Sequence, residues 1–303
     1  MTSETMSLEK TPAVRTSRLR DYVVLTKPRI SVMVLATVAA AGYLASTVAP
    51  VAPSSVLHAL IGTFLIAASG SALNQAIERW LDARMHRTRN RPLPARRLGT
   101  NEVVVFGTVT FCIGTVWLAT TVGSTAAWLG IGTWVLYVWV YTPLKTRTWT
   151  NTIVGAVAGA MPVLIGWYAT GAPTHVWIVS LFGVLFLWQF PHFMAIAWKY
   201  RREYEQGGMK MLPVVDPTGY WSGIEAVATA ALLIPTVLAP AWVLEGFVRW
   251  GYAAVVLLPT LVYLRAAERF LASRDDDTAK RLLRVSLLHL PLTMAAMLLA
   301  TLF

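Results

Sequence analysis

The feature that most constrains this chain is the recurrence of long apolar runs. A helix needs about 20 predominantly apolar residues to cross the hydrocarbon core of a bilayer. Nine stretches reach roughly that length: 30–49, 55–78, 102–122, 125–142, 151–170, 174–197, 223–241, 248–264 and 285–303. Hydrophobic residues make up 56% of the chain and charged residues 14%, against about 25% charged in soluble domains. A soluble fold could not hide so much apolar surface, whereas a bilayer is itself an apolar solvent. The expectation is an all-α, polytopic bundle of nine transmembrane helices.

The cations confirm that periodicity. The connections at 50–54, 123–124, 171–173 and 242–247 are short and hold no Lys or Arg except Arg249 just beyond the last. All the other Lys and Arg fall in the N-terminal segment, in 79–97, at Lys145 and Arg147, in 199–210 and in 265–284. With nine spans these segments share one face, which the positive-inside rule makes cytoplasmic. The N-terminus is then cytoplasmic and Phe303 lies outside. The net charge of +11 is explained by topology, so no nucleic-acid partner is needed. Residues 1–29 read as a cytoplasmic tail and 30–303 as a single transmembrane domain. The tail has no apolar stretch of its own, so it is no secretory signal. Glu4, Glu9 and Asp21 argue against a transit peptide.

Two residue types have plain readings. The lone Cys112 excludes an internal disulfide and a thiol metal site, and reads as a small buried hydrophobe. Of the 13 Trp, Trp80, Trp177, Trp198, Trp221, Trp242 and Trp250 lie near span ends and suit an interfacial belt. Trp134, Trp139, Trp167 and Trp188 lie deeper or beside the motifs.

Three constellations carry chemistry. At the end of the second stretch, Asn74, Glu78 and Asp82 are spaced four apart. On a helix they fall within an arc of roughly 80°, one oxygen-bearing stripe. Two carboxylates at that spacing repel, and at membrane depth they are costlier still. A hard divalent cation with a phosphate partner resolves the conflict, since Mg2+ takes one or two carboxylates plus substrate phosphates. Arg87, Arg89 and Arg91 follow, with guanidinium forks that match phosphate oxygens. One such residue alone would be an ordinary charged helix end; together they point to a metal–diphosphate site. The second constellation is Tyr141-Thr142-Pro143-Leu144-Lys145-Thr146-Arg147-Thr148, where Lys145 and Arg147 suit a leaving diphosphate. Gly155 and Gly159 beyond it form a helix-packing pair. The third is Trp188-Gln189-Phe190-Pro191-His192-Phe193, followed by Lys199, Arg202, Glu203 and Tyr204. An ionisable His192 within an apolar span is by default a functional candidate.

These strings resemble the UbiA superfamily of membrane prenyltransferases. Asn74, Glu78 and Asp82 match its first acidic signature, with Glu78 where the common form has Asp. Met85-x-Arg87-Thr88-x-x-Arg91-Pro92-Leu93, Tyr141-Thr142-x-x-Lys145-x-Arg147-Thr148 and Pro191-His192-Phe193 are similar to the narrower family of protohaem IX farnesyltransferases, or haem O synthases. Glu203-Tyr204 stands in the place of the second acidic motif, again with Glu for Asp. The resemblance implies a Mg2+-dependent enzyme that transfers farnesyl from farnesyl diphosphate to a vinyl group of haem b. It implies metal contacts from Glu78, Asp82 and Glu203, with Asn74 beside them. Diphosphate contacts fall to Arg87, Arg91, Lys145, Arg147 and Lys199, and porphyrin contacts to Tyr141, Trp188 and His192. It implies a cell inner membrane location, a cytoplasm-facing site and handover of the product to a haem A synthase or terminal oxidase assembly. Two other readings stand beside it: prenylation of an aromatic quinone precursor, and a transporter of a phosphorylated metabolite.

Overall fold

The computed structural model describes residues 17–303; Lys10 and Arg15 of the expected tail lie outside the described residues. A short helix α1 (Arg18–Leu25) precedes α2 (Pro28–Ser46), α3 (Pro53–Asp82), α4 (Thr100–Thr121) and α5 (Ser124–Val135). The chain continues from α5 without a break through a π-helical stretch, Leu136–Tyr141, into a single turn, α6 (Thr142–Leu144). Then come α7 (Asn151–Ala160), α8 (Pro162–Tyr168), α9 (Val176–Lys199), α10 (Arg201–Gln206) and α11 (Leu212–Val215). The last third holds α12 (Tyr220–Leu238), extended by a 3-10 turn Ala239–Val243, then α13 (Gly246–Ser273) and α14 (Asp276–Leu299). No strand occurs among the described residues.

Among the described residues, eight helical segments are long and apolar enough to cross a membrane. The expected stretch 125–142 is helical too, but its change of winding at Leu136 divides it. Helix starts follow local chemistry. Ser17 Oγ accepts from Arg20 N–H to cap α1, and Asp275 accepts from Asp277 and Thr278 N–H to cap α14. Proline sits in the first turn of α2, α3, α6, α8 and α11, where its missing N–H costs nothing.

Several helices outrun their apolar stretch. At about 1.5 Å per residue, the 30 residues of α3 span roughly 45 Å, against a hydrocarbon core of about 30 Å. The surplus carries Glu78 and Asp82 to the polar layer. Likewise α13 continues past 264 and α14 begins before 285, because hydropathy reports only the part of a helix that meets lipid.

Helix α3 packs on α4, α2 on α8, and α9 on α12 and α14, with α13 against α12 and α14. The approach of α2 to α8 needs Gly166: a Cβ there would stand 2.3 Å from the carbonyl oxygen of Val38. The pair Gly155 and Gly159 serves two neighbours. A Cβ on Gly155 would meet the Tyr141 ring at 2.7 Å, and one on Gly159 the Gln189 amide oxygen at 2.2 Å.

Two sequence expectations need correction here. Trp177 and Trp198 are buried, edge-on to Tyr252 and Phe270, whereas Trp80, Trp221, Trp242 and Trp250 are exposed. Cys112 is exposed on α4; a thiol that behaves as a small hydrophobe is equally at home facing lipid. Within the expected tail, Arg18–Leu25 forms α1.

Candidate active site

The last three turns of α3 hold Asn74, Glu78 and Asp82, all almost fully buried (1–3% exposed). All three line one polar pocket of about 90 Å³. The stripe is therefore real, and it faces a cavity rather than lipid.

Each member has a defined partner. Glu78 Oε1 lies 2.7 Å from Lys145 Nζ, and Asp82 Oδ2 lies 2.7 Å from Arg91 Nη1. Asn74 Oδ1 accepts from Lys27 Nζ at 2.9 Å, and its amide donates to Thr142 Oγ1 at 3.0 Å. Lys27 Nζ also donates to the Tyr137 hydroxyl at 3.2 Å. Paired and hydrogen-bonded in this way, two carboxylates are tolerated at a degree of burial that would otherwise penalise both. Burial by itself would push the Lys145 ammonium down. The Glu78 carboxylate, with the Tyr141 and Tyr137 hydroxyls, outweighs that and holds it above the ordinary lysine range. The Lys145 charge also rests over the Tyr141 ring, 4.5 Å from its centroid.

The π-helical stretch sets this wall. Wide turns of this kind recur at functional sites. Here the stretch carries Tyr137 and Tyr141, and the Thr142 hydroxyl closes it by donating to Tyr137 O at 2.8 Å. The opposite wall is the loop after α3, which is packed and not loose. Met85, Thr88, Leu93 and Leu98 are buried in it. Thr88 Oγ1 donates to Asp82 O at 2.8 Å. Arg97 Nε donates to both oxygens of Asp21 on α1, at 3.0 and 3.1 Å. Arg18 and Tyr22 of α1 both bond Glu102 at the start of α4. Met209, Met211 and Tyr204 supply the remaining apolar and aromatic surface.

The other expected site residues are distributed as follows. Arg87 lines the pocket, its guanidinium 4.8 Å from the Tyr200 centroid and Nη2 donating to the Tyr204 hydroxyl at 3.2 Å. Arg147 is exposed and does not line it. Glu203 accepts from Arg87 N–H at 3.0 Å and lines a neighbouring cavity, as does Lys199. The expected trio of Glu78, Asp82 and Glu203 is thus not assembled, and no three acidic, His or Cys side chains gather around a common point among the described residues. Trp188 and His192 lie on the far side of α9, packed on α14. The Trp188 indole donates to Ser286 O at 2.8 Å, and His192 Nδ1 is 2.8 Å from Ser286 Oγ.

The donor set that does converge, one amide and two carboxylate oxygens beside water-accessible space, suits a hard cation that completes its shell from phosphate and water. Lys27 was not singled out from the sequence. It is an N-terminal residue in a left-handed backbone conformation, φ 47°, which is uncommon for anything but glycine. Pro28 immediately after it is the only local signal. Tyr137 carried none, and although Met85 opens one of the matching strings, no site role was read from it, Met209 or Met211.

The model of the UbiA prenyltransferase family matches residues 34–288. A protoheme IX farnesyltransferase of Rhodopirellula baltica is 40% identical over 281 residues, covering 90% of this chain and 97% of that protein. One of Opitutus terrae is 40% identical over 304 residues, covering 98% and 99%. Among solved structures, a digeranylgeranylglyceryl phosphate synthase superposes with a TM-score of 0.75 at 16% identity, covering 94% of this chain and 99% of that one. A UbiA homolog from Archaeoglobus fulgidus bound to GPP and Mg2+ superposes with a TM-score of 0.66 at 14% identity, covering 91% and 99%.

Proposed function

This chain belongs to the UbiA prenyltransferase family, and from that premise we propose that it transfers a farnesyl group from farnesyl diphosphate to a vinyl group of haem b. The C1–O bond of the donor breaks and farnesyl C1 bonds to the terminal vinyl carbon. Water adds its oxygen to the other vinyl carbon and releases a proton, leaving a hydroxyethylfarnesyl side chain and free diphosphate. The observation that carries the reading is the convergence of Asn74, Glu78 and Asp82 with Lys27, Arg87, Arg91 and Lys145 in one pocket. Relatives at 40% identity named protoheme IX farnesyltransferase support the acceptor.

Glu78 and Asp82, with Asn74, would hold Mg2+, and a bound Mg2+ supplies positive charge to the departing phosphate oxygens. Arg91, Arg87, Lys145 and Lys27 bind the diphosphate and stabilise the charge it gains on leaving. The Tyr141 ring, Met85, Met209 and Met211 offer apolar and π surface to the allylic carbon as it becomes cationic. Glu203 orients the arginine loop through the Arg87 amide, and the exposed Arg147 would meet the diphosphate only as it departs. Counting the divided helix Ser124–Leu144 as a crossing, the chain of residues 30–303 spans the membrane nine times as one domain. Its basic loops and this pocket then face the cytoplasm, its C-terminus lies outside, and an inner-membrane enzyme of this kind passes its product to haem A synthesis or terminal oxidase assembly.

The test is to incubate purified protein with haem b, farnesyl diphosphate and Mg2+ and to analyse the haems by mass spectrometry. Farnesylated haem formed by wild type and lost with Asp82→Asn or EDTA supports the reading. A folded protein that leaves haem unchanged and prenylates a quinone precursor overturns the acceptor.

A further inference from the structure

Beside the pocket lies a second cavity of about 360 Å³, lined by Lys199, Tyr200, Arg201, Arg202, Glu203 and Asp276. It sits where α9 ends, α10 begins and α14 starts. Its charges are unevenly used. Arg201 Nη1 donates to Asp276 Oδ1 at 2.8 Å and to Trp198 O at 2.6 Å. Glu203 accepts the Arg87 amide. Lys199 and Arg202 pair with no carboxylate among the described residues. Two cations that form no ion pair therefore share one concave surface with the Glu203 carboxylate, and the lining as a whole carries one excess positive charge.

This cavity adjoins the diphosphate pocket through a single side-chain layer. The Tyr200 ring has Lys199 Nζ 5.0 Å and Arg87 Cζ 4.8 Å from its centroid, so the two cations are separated by no more than the sum of those distances. Arg87 faces the diphosphate pocket and Lys199 the second cavity.

We propose that the second cavity binds the acceptor's carboxylates, holding a porphyrin by its propionate edge at Lys199 and Arg202 while the rest of the macrocycle reaches past Tyr200 toward the diphosphate pocket. The inference rests on the reading of haem b as acceptor. Haem is an amphipathic plate. Its propionates form one edge and cannot enter hydrocarbon unpaired, while its vinyl-bearing side is apolar. Lys199 and Arg202, neither held in an ion pair, can each give one propionate a charge-assisted hydrogen bond on a surface of net positive charge. This gives Lys199 a role distinct from the diphosphate contact expected of it.

The experiment compares haem b with its dimethyl ester, which has the same macrocycle and vinyl groups without free carboxylates. Wild type, Lys199→Ala/Arg202→Ala and the charge-keeping Lys199→Arg are placed in nanodiscs of neutral phosphatidylcholine, and again with phosphatidylglycerol added. Binding is followed at the Soret band, and KM is measured for each substrate. Exposed pairs are individually weak, so the expected change is about tenfold for both together. Wild type binds haem b about tenfold tighter than the ester. The double variant binds haem b as weakly as the ester, binds the ester as wild type does, and keeps its KM for farnesyl diphosphate. Lys199→Arg retains the preference. The proposal is overturned if wild type does not distinguish acid from ester, or if the double variant weakens both alike. It is also overturned if the loss appears only in anionic nanodiscs whichever porphyrin is used, which would mark a lipid headgroup site. Failure of wild type to farnesylate haem b at all would instead overturn the reading of the acceptor, while the acid–ester difference still decides what the cavity binds.

Discussion

Lys145 Nζ stands 2.7 Å from Glu78 Oε1, joining the loop after α6 to a helix end 67 residues earlier. With Arg91 on Asp82, it means that the groups suited to a metal and the groups suited to a phosphate neutralise each other in the free protein. Binding Mg2+ alone strips two cations of their partners, and binding diphosphate alone strips two carboxylates. Both together exchange one balanced set for another. Titration calorimetry should therefore find weak binding of Mg2+ and of a non-hydrolysable farnesyl diphosphate analogue separately. Together they should bind at least tenfold tighter. Tight binding of Mg2+ alone would contradict this.

Removing one member of that pair is worse than removing both. Lys145→Met leaves Glu78 buried and uncompensated, at a cost of about 3–5 kcal/mol. Lys145→Met combined with Glu78→Gln should recover most of the lost thermal stability in detergent, yet stay inactive in haem farnesylation. A double variant no more stable than the single would show that the pair is not coupled.

The contact between α2 and α8 is backbone on backbone. Gly166→Ala puts a methyl group where the Val38 carbonyl already is, and neither helix can yield without moving. Overpacking of this kind costs about 1–3 kcal/mol. A fall in the melting temperature is expected, and an unchanged one would mean that the helices separate freely.

Asp216 closes the turn before α12. Slight burial raises its pKa, but bonds from Thr218 and the Trp221 amide outweigh that and leave its carboxyl below the usual range. A depressed carboxyl stabilises above the unfolded value and loses that contribution as pH falls through the folded one. Hydrogen exchange at residues 218–221 should thus speed up, relative to the neighbouring helix, only below about pH 4. Asp216→Asn should show the faster exchange already at neutral pH.

The apolar runs and the four-residue spacing of Asn74, Glu78 and Asp82 were readable because both are local. Bilayer thickness dictates the first, and helix pitch dictates the second. What the sequence hid is non-local. Nothing near Lys27 says that a left-handed residue will reach Asn74 on another helix. Hydropathy could not distinguish the π-helical turn at 136–141 from α-helix, although that turn points Tyr137 and Tyr141 inward. Trp177 and Trp198 look interfacial by position, but whether a ring at a span end faces lipid or a neighbour depends on which helices pack there. His192 was conspicuous for its chemistry, and its tie to Ser286 on α14 became visible only in the fold.

The pocket draws its lining from Lys27 through Met211, while α12, α13 and α14 add none. In the order of synthesis, Glu78 and Asp82 reach the membrane surface long before Lys145 exists to answer Glu78. Until residue 145 emerges, Glu78 is a carboxylate without its counter-ion, held at the water-facing end of an overlong helix. The overhang of α3 is thus also a waiting position: it lets the first half insert with its acids still in reach of water, and the site closes only when the loop after α6 arrives to cover them.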